Sequence, residues 1–329
     1  MIRLKKAGAL MGAALITALV ALAPGNPAHA ADDRMKGKKV IFVPIAMGIT
    51  LTEGWSRRMA EQAELFGIEY EVRDAAFDMK AMSELFAAAI NEKPDLIVAH
   101  NPTVQLLARQ IKKAEDSGIK VMQLNLSSLQ NSTAFVGADW DRIGREVAED
   151  IVKQCGEGSG KSGKVAIVPG QLTAADSVIM NEAAFAVFKE HPEIEVVSNQ
   201  ASDWEPEKAR QITATVLQQH PDLCAVFGHW GVHTIGAGNA VKDAGKQDDV
   251  LVYATGGGNR LICNNIEQDV IDRYWSYNAD GQGRDAATMM RVILQGAEPK
   301  DGEMLRVDSP LIVITKENYS PSMCWDMPS

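Results

Sequence analysis

From Val40 to Trp275, short continuous apolar runs alternate with amphipathic stretches of helical period, and this alternation most limits the folds open to the chain. Val40-Ile41-Phe42-Val43 leads into a helical pattern over 53–66, stopped by Gly67; Ile68 to Val72 leads into another over 79–90, ended by Pro94. Asp95 to Val98, a helix over 103–116 and a run over 119–124 complete one series. A second series predicts helices over 141–154, 175–190, 206–219, 232–243 and 259–268. Strands over 164–168, 194–198, 224–227, 250–254 and 270–275 lie between them. Strands that are apolar throughout need cover on both faces, which a parallel sheet between helices provides. The expected fold class is α/β, with two doubly wound parallel-sheet lobes.

The first 30 residues stand outside this alternation. Arg3, Lys5 and Lys6 precede a small-residue apolar run from Ala7 to Ala23, and Ala28-His29-Ala30 fits a small-x-small cleavage site. The run falls short of the roughly 20 residues that span a bilayer. No Cys follows it to carry a lipid. The expectation is a signal peptide over 1–30, cleaved near Ala30, and an exported chain that does not insert into a membrane. Its removal leaves 299 residues and, with three cations gone, takes the net charge from −10 to −13. At roughly 150 residues per domain, two domains follow. The acidic balance excludes a nucleic-acid binder, which needs a basic surface to displace counterions.

Four cysteines remain, Cys155, Cys224, Cys263 and Cys324, none in a Cys-x-x-Cys pair. An exported chain with four cysteines allows three disulfide pairings, and buried free thiols stand beside them.

Sheets of this kind bind ligands beyond the carboxyl ends of their strands. The loops there include 44–52, 100–103, 125–128, 169–176, 203–205, 228–233, 255–259 and 276–283. The stretch from Cys155 to Ser162 resembles a phosphate loop, but its first glycine is missing and it joins a helix to a strand, the reverse of a phosphate cradle. Gly256-Gly257-Gly258 lacks dinucleotide spacing. His229 and His233 are four apart but without the Glu of a zinc protease motif, and no G-x-S-x-G is present. Acids at the strand ends are few, namely Asp139, Asp176 and Asp203. The pattern favours a binder over an enzyme, and no cofactor or metal is expected.

With these features in hand, the chain resembles the ribose-binding-like, type I periplasmic binding proteins, the solute receptors of ABC importers. The resemblance covers Lys38 to Asn318 and rests on the order and spacing of several loose motifs. They are Lys39 to Val43, Pro94 to Val98 before Asn101-Pro102-Thr103, Gly118 to Val121, Val136 to Asp139, Ala201 to Trp204, His220 to Phe227 and Gly283 to Gly296. It implies two lobes joined by three crossings, lobe one as 36–138 plus 277–306 and lobe two as 139–276 plus 307–329. It also implies a periplasmic monomer that docks on an inner-membrane ABC permease, and it suggests the disulfides Cys155–Cys224 and Cys263–Cys324.

For the ligand, the resemblance implies an amide from Asn101 and a stacking ring from Trp204. The family's Asp-Arg pair is here Asn125-Leu126, an Arg is Asn181, an Asn-Asp pair is Trp230-Gly231, an Asp is Thr255, and a Gln falls at Tyr277. Asp139 is either a contact or a helix N-cap. Amides, a hydroxyl and indoles in place of charges point to a small neutral solute: a sugar, deoxy sugar or polyol, or a more apolar, aromatic one. An amine over Trp faces, with Asp139 or Asp176 as countercharge, is a further fit. A periplasmic sensor signalling to a membrane kinase or chemoreceptor is the alternative function, and an exported enzyme using His229 and His233 a third. Six of the 19 aromatic residues are Trp. Trp204, Trp230 and Trp275 at strand ends and Trp140 at the first crossing suggest that the excess lines a cleft. Trp55, spaced with Met59, reads as packing, and Trp325 has no assigned place.

Overall fold

The computed structural model describes residues 33–300 and 302–326. The expected signal peptide lies outside the described residues. In chain order the first lobe begins with β1 (Lys39–Val43), α1 (Thr50–Phe66), β2 (Glu69–Val72), α2 (Met79–Glu92), β3 (Leu96–Ala99), α3 (Ala108–Asp116), β4 (Lys120–Leu124) and β5 (Ala134–Gly137). The chain then crosses to build α4 (Trp140–Cys155), β6 (Lys164–Val168), α5 (Ala175–Glu190), β7 (Glu195–Asn199), α6 (Pro206–Gln219), β8 (Ala225–Gly228), α7 (Gly231–Asp243), β9 (Leu251–Gly256), α8 (Arg260–Glu267) and β10 (Arg273–Ser276). It returns for α9 (Ala279–Leu294) and β11 (Leu305–Asp308), and crosses a third time into β12 (Ile312–Thr315).

Two six-stranded sheets result, ordered β11-β5-β4-β3-β1-β2 and β12-β10-β9-β8-β6-β7. The first is parallel throughout, and in the second only β12 runs antiparallel, against β10. The fold is therefore the expected α/β pair of doubly wound lobes. Each sheet is covered on both faces. In lobe one, Phe42, Val98 and Met122 pack with Trp55 and Met59 of α1 and Met290 of α9, while Ile41, Ile97 and Val121 meet Phe86 of α2 and Ile111 of α3. In lobe two, Val165, Ile167 and Phe227 face Ile143, Val147 and Met180 of α4 and α5. On its other side, Val226, Val252 and Tyr274 face Val241 of α7 and Ile262 of α8.

Two expectations shift. The helix expected from 103 begins at Ala108, because the preceding segment serves the interface between the lobes: Val104 N–H donates to the Thr173 carbonyl at 3.2 Å. The division expected at 306 falls inside β11, which stays paired with β5 through Asp308.

Both disulfides link the pairs the resemblance suggested. Cys155 at the end of α4 joins Cys224 just before β8, 69 residues away, with Cα atoms 5.9 Å apart. Cys263 of α8 joins Cys324 of the tail, 61 residues away and 6.4 Å apart. Closing loops of this length limits the unfolded chain by roughly 4 kcal/mol each in the loop-entropy account.

Candidate functional site

The loops after the strands of both lobes face one another around a cavity of about 480 Å³. Lobe one contributes Ile45, Ile49 and Leu51 after β1, Phe77 and Met79 after β2, His100 and Pro102 after β3, and Asn125 and Leu126 after β4. Lobe two contributes Trp140, Gln171, Asp176, Asp203, Trp204, Glu205, His229 and Trp230, and Tyr277 enters from the second crossing. The lobes also touch beside this space where Val104 meets Thr173, as above, and where Asn259 Nδ2 donates to Thr50 Oγ1 at 3.0 Å.

The aromatic wall is held by local geometry. Asp203 and Trp204 both lie in the left-handed region, at φ 52° and 66°, an uncommon conformation for so bulky a residue as Trp. The loop is pinned where Ser202 and Asp203 N–H donate to the carbonyls of Pro169 and Gly170, each at 2.9 Å, and where Lys208 pairs with Asp203. The Trp204 ring lies directly over Gly170, where a Cβ would come within 2.1 Å of the indole, so only glycine leaves room. Trp230 meets Trp204 edge-on at 6.1 Å, and His233 lies 5.6 Å from Trp204. Trp140 and Tyr277 form a second T-shaped pair at 5.4 Å, and Trp140 Nε1–H donates to the Asn125 carbonyl at 2.8 Å.

Polar groups on the wall are few. No Lys or Arg is among the lining residues. His100 and His229 are buried, and burial depresses each ring to about 3, so both are neutral at ordinary pH. Burial pushes the Asp176 carboxyl the other way, up to about 7, against the opposing backbone N–H groups of Ser177 and of Asp176 itself. Tyr277 is raised well above its ordinary range by burial and stays protonated. Asp203 and Glu205 are exposed. Three lining side chains keep a buried atom without a partner: His100 Nδ1, Asp176 Oδ1 and His229 Nε2.

Of the sequence-predicted site residues, Asn125, Trp204, Trp230 and Tyr277 come together on the cavity; Asn101, Asp139, Asn181 and Thr255 do not line it. Asn101 is fully buried, and its amide donates to Gln123 Oε1 at 2.9 Å and to the Leu126 carbonyl at 2.8 Å, bracing the loops after β3 and β4 from behind. Asp139 caps α4, accepting from Arg142 N–H at 3.1 Å, which is its N-cap reading. Asn181 lies mid-helix in α5, and Thr255 donates its hydroxyl to the His229 carbonyl, supporting the wall without reaching it. The expectation for Trp275 is also corrected. It is buried against Tyr253 and donates to Glu146 Oε2 at 3.1 Å, because β10 turns alternate side chains to opposite faces.

Sequence reasoning passed over His100 and the aliphatic lining. The available signal was apolar residues such as Ile45, Leu51 and Phe77 in loops at strand ends, where polar turn formers are the norm. His229 and His233 do not act together, since His233 turns Nε2 to the Val168 carbonyl at 3.1 Å. Among the described residues no group of three or more His, Cys, Asp or Glu is placed to hold a metal, and no helix is long and apolar enough to cross a membrane.

The comparisons agree with this architecture. A family model described as a periplasmic binding protein domain matches residues 40–298. The chain is 26% identical over 207 residues to the D-allose-binding periplasmic protein of Escherichia coli (strain K12), covering 60% of this chain and 66% of that one. It is 25% identical over 257 residues to the D-ribose/D-allose-binding protein of Pseudomonas aeruginosa, covering 74% and 77%. The fold also matches a glucose-galactose binding protein from Geobacillus stearothermophilus, with a TM-score of 0.76 at 19% identity over 86% of this chain and 99% of that one. These are binding proteins, not enzymes. Two parallel-sheet lobes, the cavity between their strand ends and the family match over most of the chain place it in one group: it belongs to the periplasmic binding protein domain family.

Proposed function

We propose that the chain is the periplasmic solute receptor of an ABC importer. In this reading it closes its two lobes on a small neutral solute with a broad apolar face and presents the closed form, as a monomer, to an inner-membrane permease. The observation that carries the reading is the cavity between the lobes, lined by Trp140, Trp204, Trp230 and Tyr277 together with aliphatic residues of lobe one, and free of Lys and Arg on its lining. Relatives named for binding ribose and allose support a solute of this size. Flat indoles suit the apolar face of a sugar, deoxy sugar or polyol ring, or of an aromatic solute. The basic and apolar segment over 1–30 supports export with cleavage near Ala30.

A thermal-shift panel of sugars, deoxy sugars, polyols, sugar acids and neutral aromatics tests the reading. A solute at a hundred times its Kd adds roughly 2.7 kcal/mol, a rise of a few degrees for a protein of this size. Neutral, apolar-faced compounds should rank first. Sugar acids at the top of the ranking would contradict the reading, and so would chemical turnover of the best solute.

A further inference from the structure

Asp176 sits in the first turn of α5 and lines the cavity; it is 5% exposed, and its Oδ1 has no hydrogen-bond partner. An acceptor buried without a partner loses its water for nothing, so such atoms are uncommon unless something completes them. An acid in a first helical turn is favourable, but that role is met at the surface and does not require burial. No cation of the protein stands ready, because no Lys or Arg lines the cavity. Across the cavity lining, His229 Nε2 of lobe two and His100 Nδ1 of lobe one are also buried and open. The remaining lining is largely apolar and aromatic. A carboxyl and two neutral imidazoles thus carry the open buried atoms of a largely apolar lining, with the carboxyl as the strongest acceptor among them.

We propose that Asp176 selects the solute by accepting a hydrogen bond from a donor group on an otherwise apolar ring, with His100 and His229 completing the polar edge of the site. The inference rests on the cavity being the solute site, as proposed above. A ring that offers no donor leaves Oδ1 of the carboxyl buried without a partner, and a site built around such an atom rejects the analogue lacking its donor far more strongly than it rejects a missing methylene. A hydroxyl meets the requirement and keeps the solute neutral. An ammonium group meets it with added charge assistance.

Three probes that share one ring separate these cases: benzyl alcohol, benzyl methyl ether and benzylamine, each titrated at millimolar concentration into the full-length protein and its Asp176→Ala and Asp176→Asn variants. The expected result is that the alcohol binds wild type roughly tenfold to a hundredfold more tightly than the ether, and that Asp176→Ala removes the difference. Asp176→Asn, which keeps an acceptor oxygen, should retain part of the preference for the alcohol. Calorimetry in two buffers of different protonation enthalpy gives a second readout that a purely structural Asp176 would not move. A donor favours the ionised carboxyl, so binding near pH 7 should release a proton in wild type and none in either variant. The other groups around the cavity leave that signal clear: His100 and His229 are neutral, Tyr277 is protonated, and Asp203 and Glu205 are exposed.

Binding of benzylamine alone, lost in Asp176→Asn, would uphold the anchor and overturn the neutral solute. Equal binding of alcohol and ether, or an alcohol preference that survives Asp176→Ala, overturns the anchor and leaves the receptor reading standing. No binding by any of the three overturns both the anchor and the apolar-faced chamber on which it rests.

Discussion

The two lobes share one topology yet bring different surfaces to the cleft. Lobe one offers Ile45, Ile49, Leu51, Met79, Pro102 and Leu126, mostly aliphatic side chains on loops and first helical turns, beside the polar His100 and Asn125, with Phe77 57% exposed. Lobe two offers the indoles, the buried carboxyl of Asp176 and the His229 ring. Both disulfides also lie on the lobe-two side, one fastening α4 to the strand before α7 and the other fastening the tail to α8. The aromatic rings and the buried carboxyl are thus mounted on the covalently braced lobe, and the other lobe supplies a mostly aliphatic face with His100 and Asn125. The division is physically reasonable: aromatic stacking and a directed hydrogen bond need fixed geometry, whereas aliphatic burial is non-directional.

The largest expected effect follows from the bracing. Replacing both Cys224 and Cys324 by Ala should lower the stability of lobe two by about 4 kcal/mol per lost link while leaving lobe one nearly untouched. Hydrogen exchange resolved by peptide would show it, and equal loss of protection in both lobes would break the comparison. Next comes the open carboxyl. Because burial raises Asp176 in the folded protein, the folded state holds its proton more tightly than the unfolded one; this group's contribution to stability is therefore greatest in acid and declines as pH rises from about 4 through 7. Asp176→Asn should remove that decline and stabilise the empty protein above pH 7 by a few kcal/mol. The neutral His100 and His229 act in the opposite sense, since stability is lost as pH falls from 6.5 toward 3. Denaturant titrations at pH 5 and pH 8 separate these groups.

A smaller effect concerns the placement of a single ring. Gly170→Ala puts a Cβ into the space of the Trp204 indole, so solute affinity should fall by about tenfold or more, roughly 1.4 kcal/mol, with little change in lobe-one stability. Unchanged affinity would mean that the ring position does not matter. The smallest effect lies at the contact between lobes: Thr50→Ala removes the hydrogen bond from Asn259 and should weaken closure by about 0.5–1.5 kcal/mol, lowering affinity a few fold. Small-angle scattering with saturating solute should show a larger open fraction, and no change would take this contact out of the closure mechanism.

Much of this arrangement was legible in the residues. Strand Lys164–Val168 and helices Ala175–Glu190 and Pro206–Gln219 have the boundaries their periodicity predicts. β11 and β12 lie beyond the helix–strand series and escaped, although Leu305–Asp308 alternates apolar with polar side chains and Ile312–Ile314 is apolar throughout. α9 escaped because Gly281 and Gly283 in its first turns read as a loop; Gly283 packs close to Trp55 of α1, a reason visible only in the fold. At the site, Trp204 and Trp230, singled out in the sequence at the ends of lobe-two strands, both line the cavity. The amides were harder to place. Asn101 turns away from the cavity toward Gln123 and Leu126, partners distant in sequence and brought close only by the sheet. The excess of Trp divides accordingly: Trp140, Trp204 and Trp230 line the cavity, Trp55 and Trp275 are core, and Trp325 of the tail packs on Gly54 of α1, where a Cβ would lie 3.0 Å from its ring.

The central claim is that a small solute is held between the lobes against the aromatic wall of lobe two. Titration calorimetry of the solute giving the largest thermal shift, into wild type and Trp204→Ala, tests it most directly. The account predicts one site per chain in wild type, at least a tenfold weaker Kd in the variant and an unchanged Tm for the empty proteins. Wild-type affinity in Trp204→Ala would contradict it.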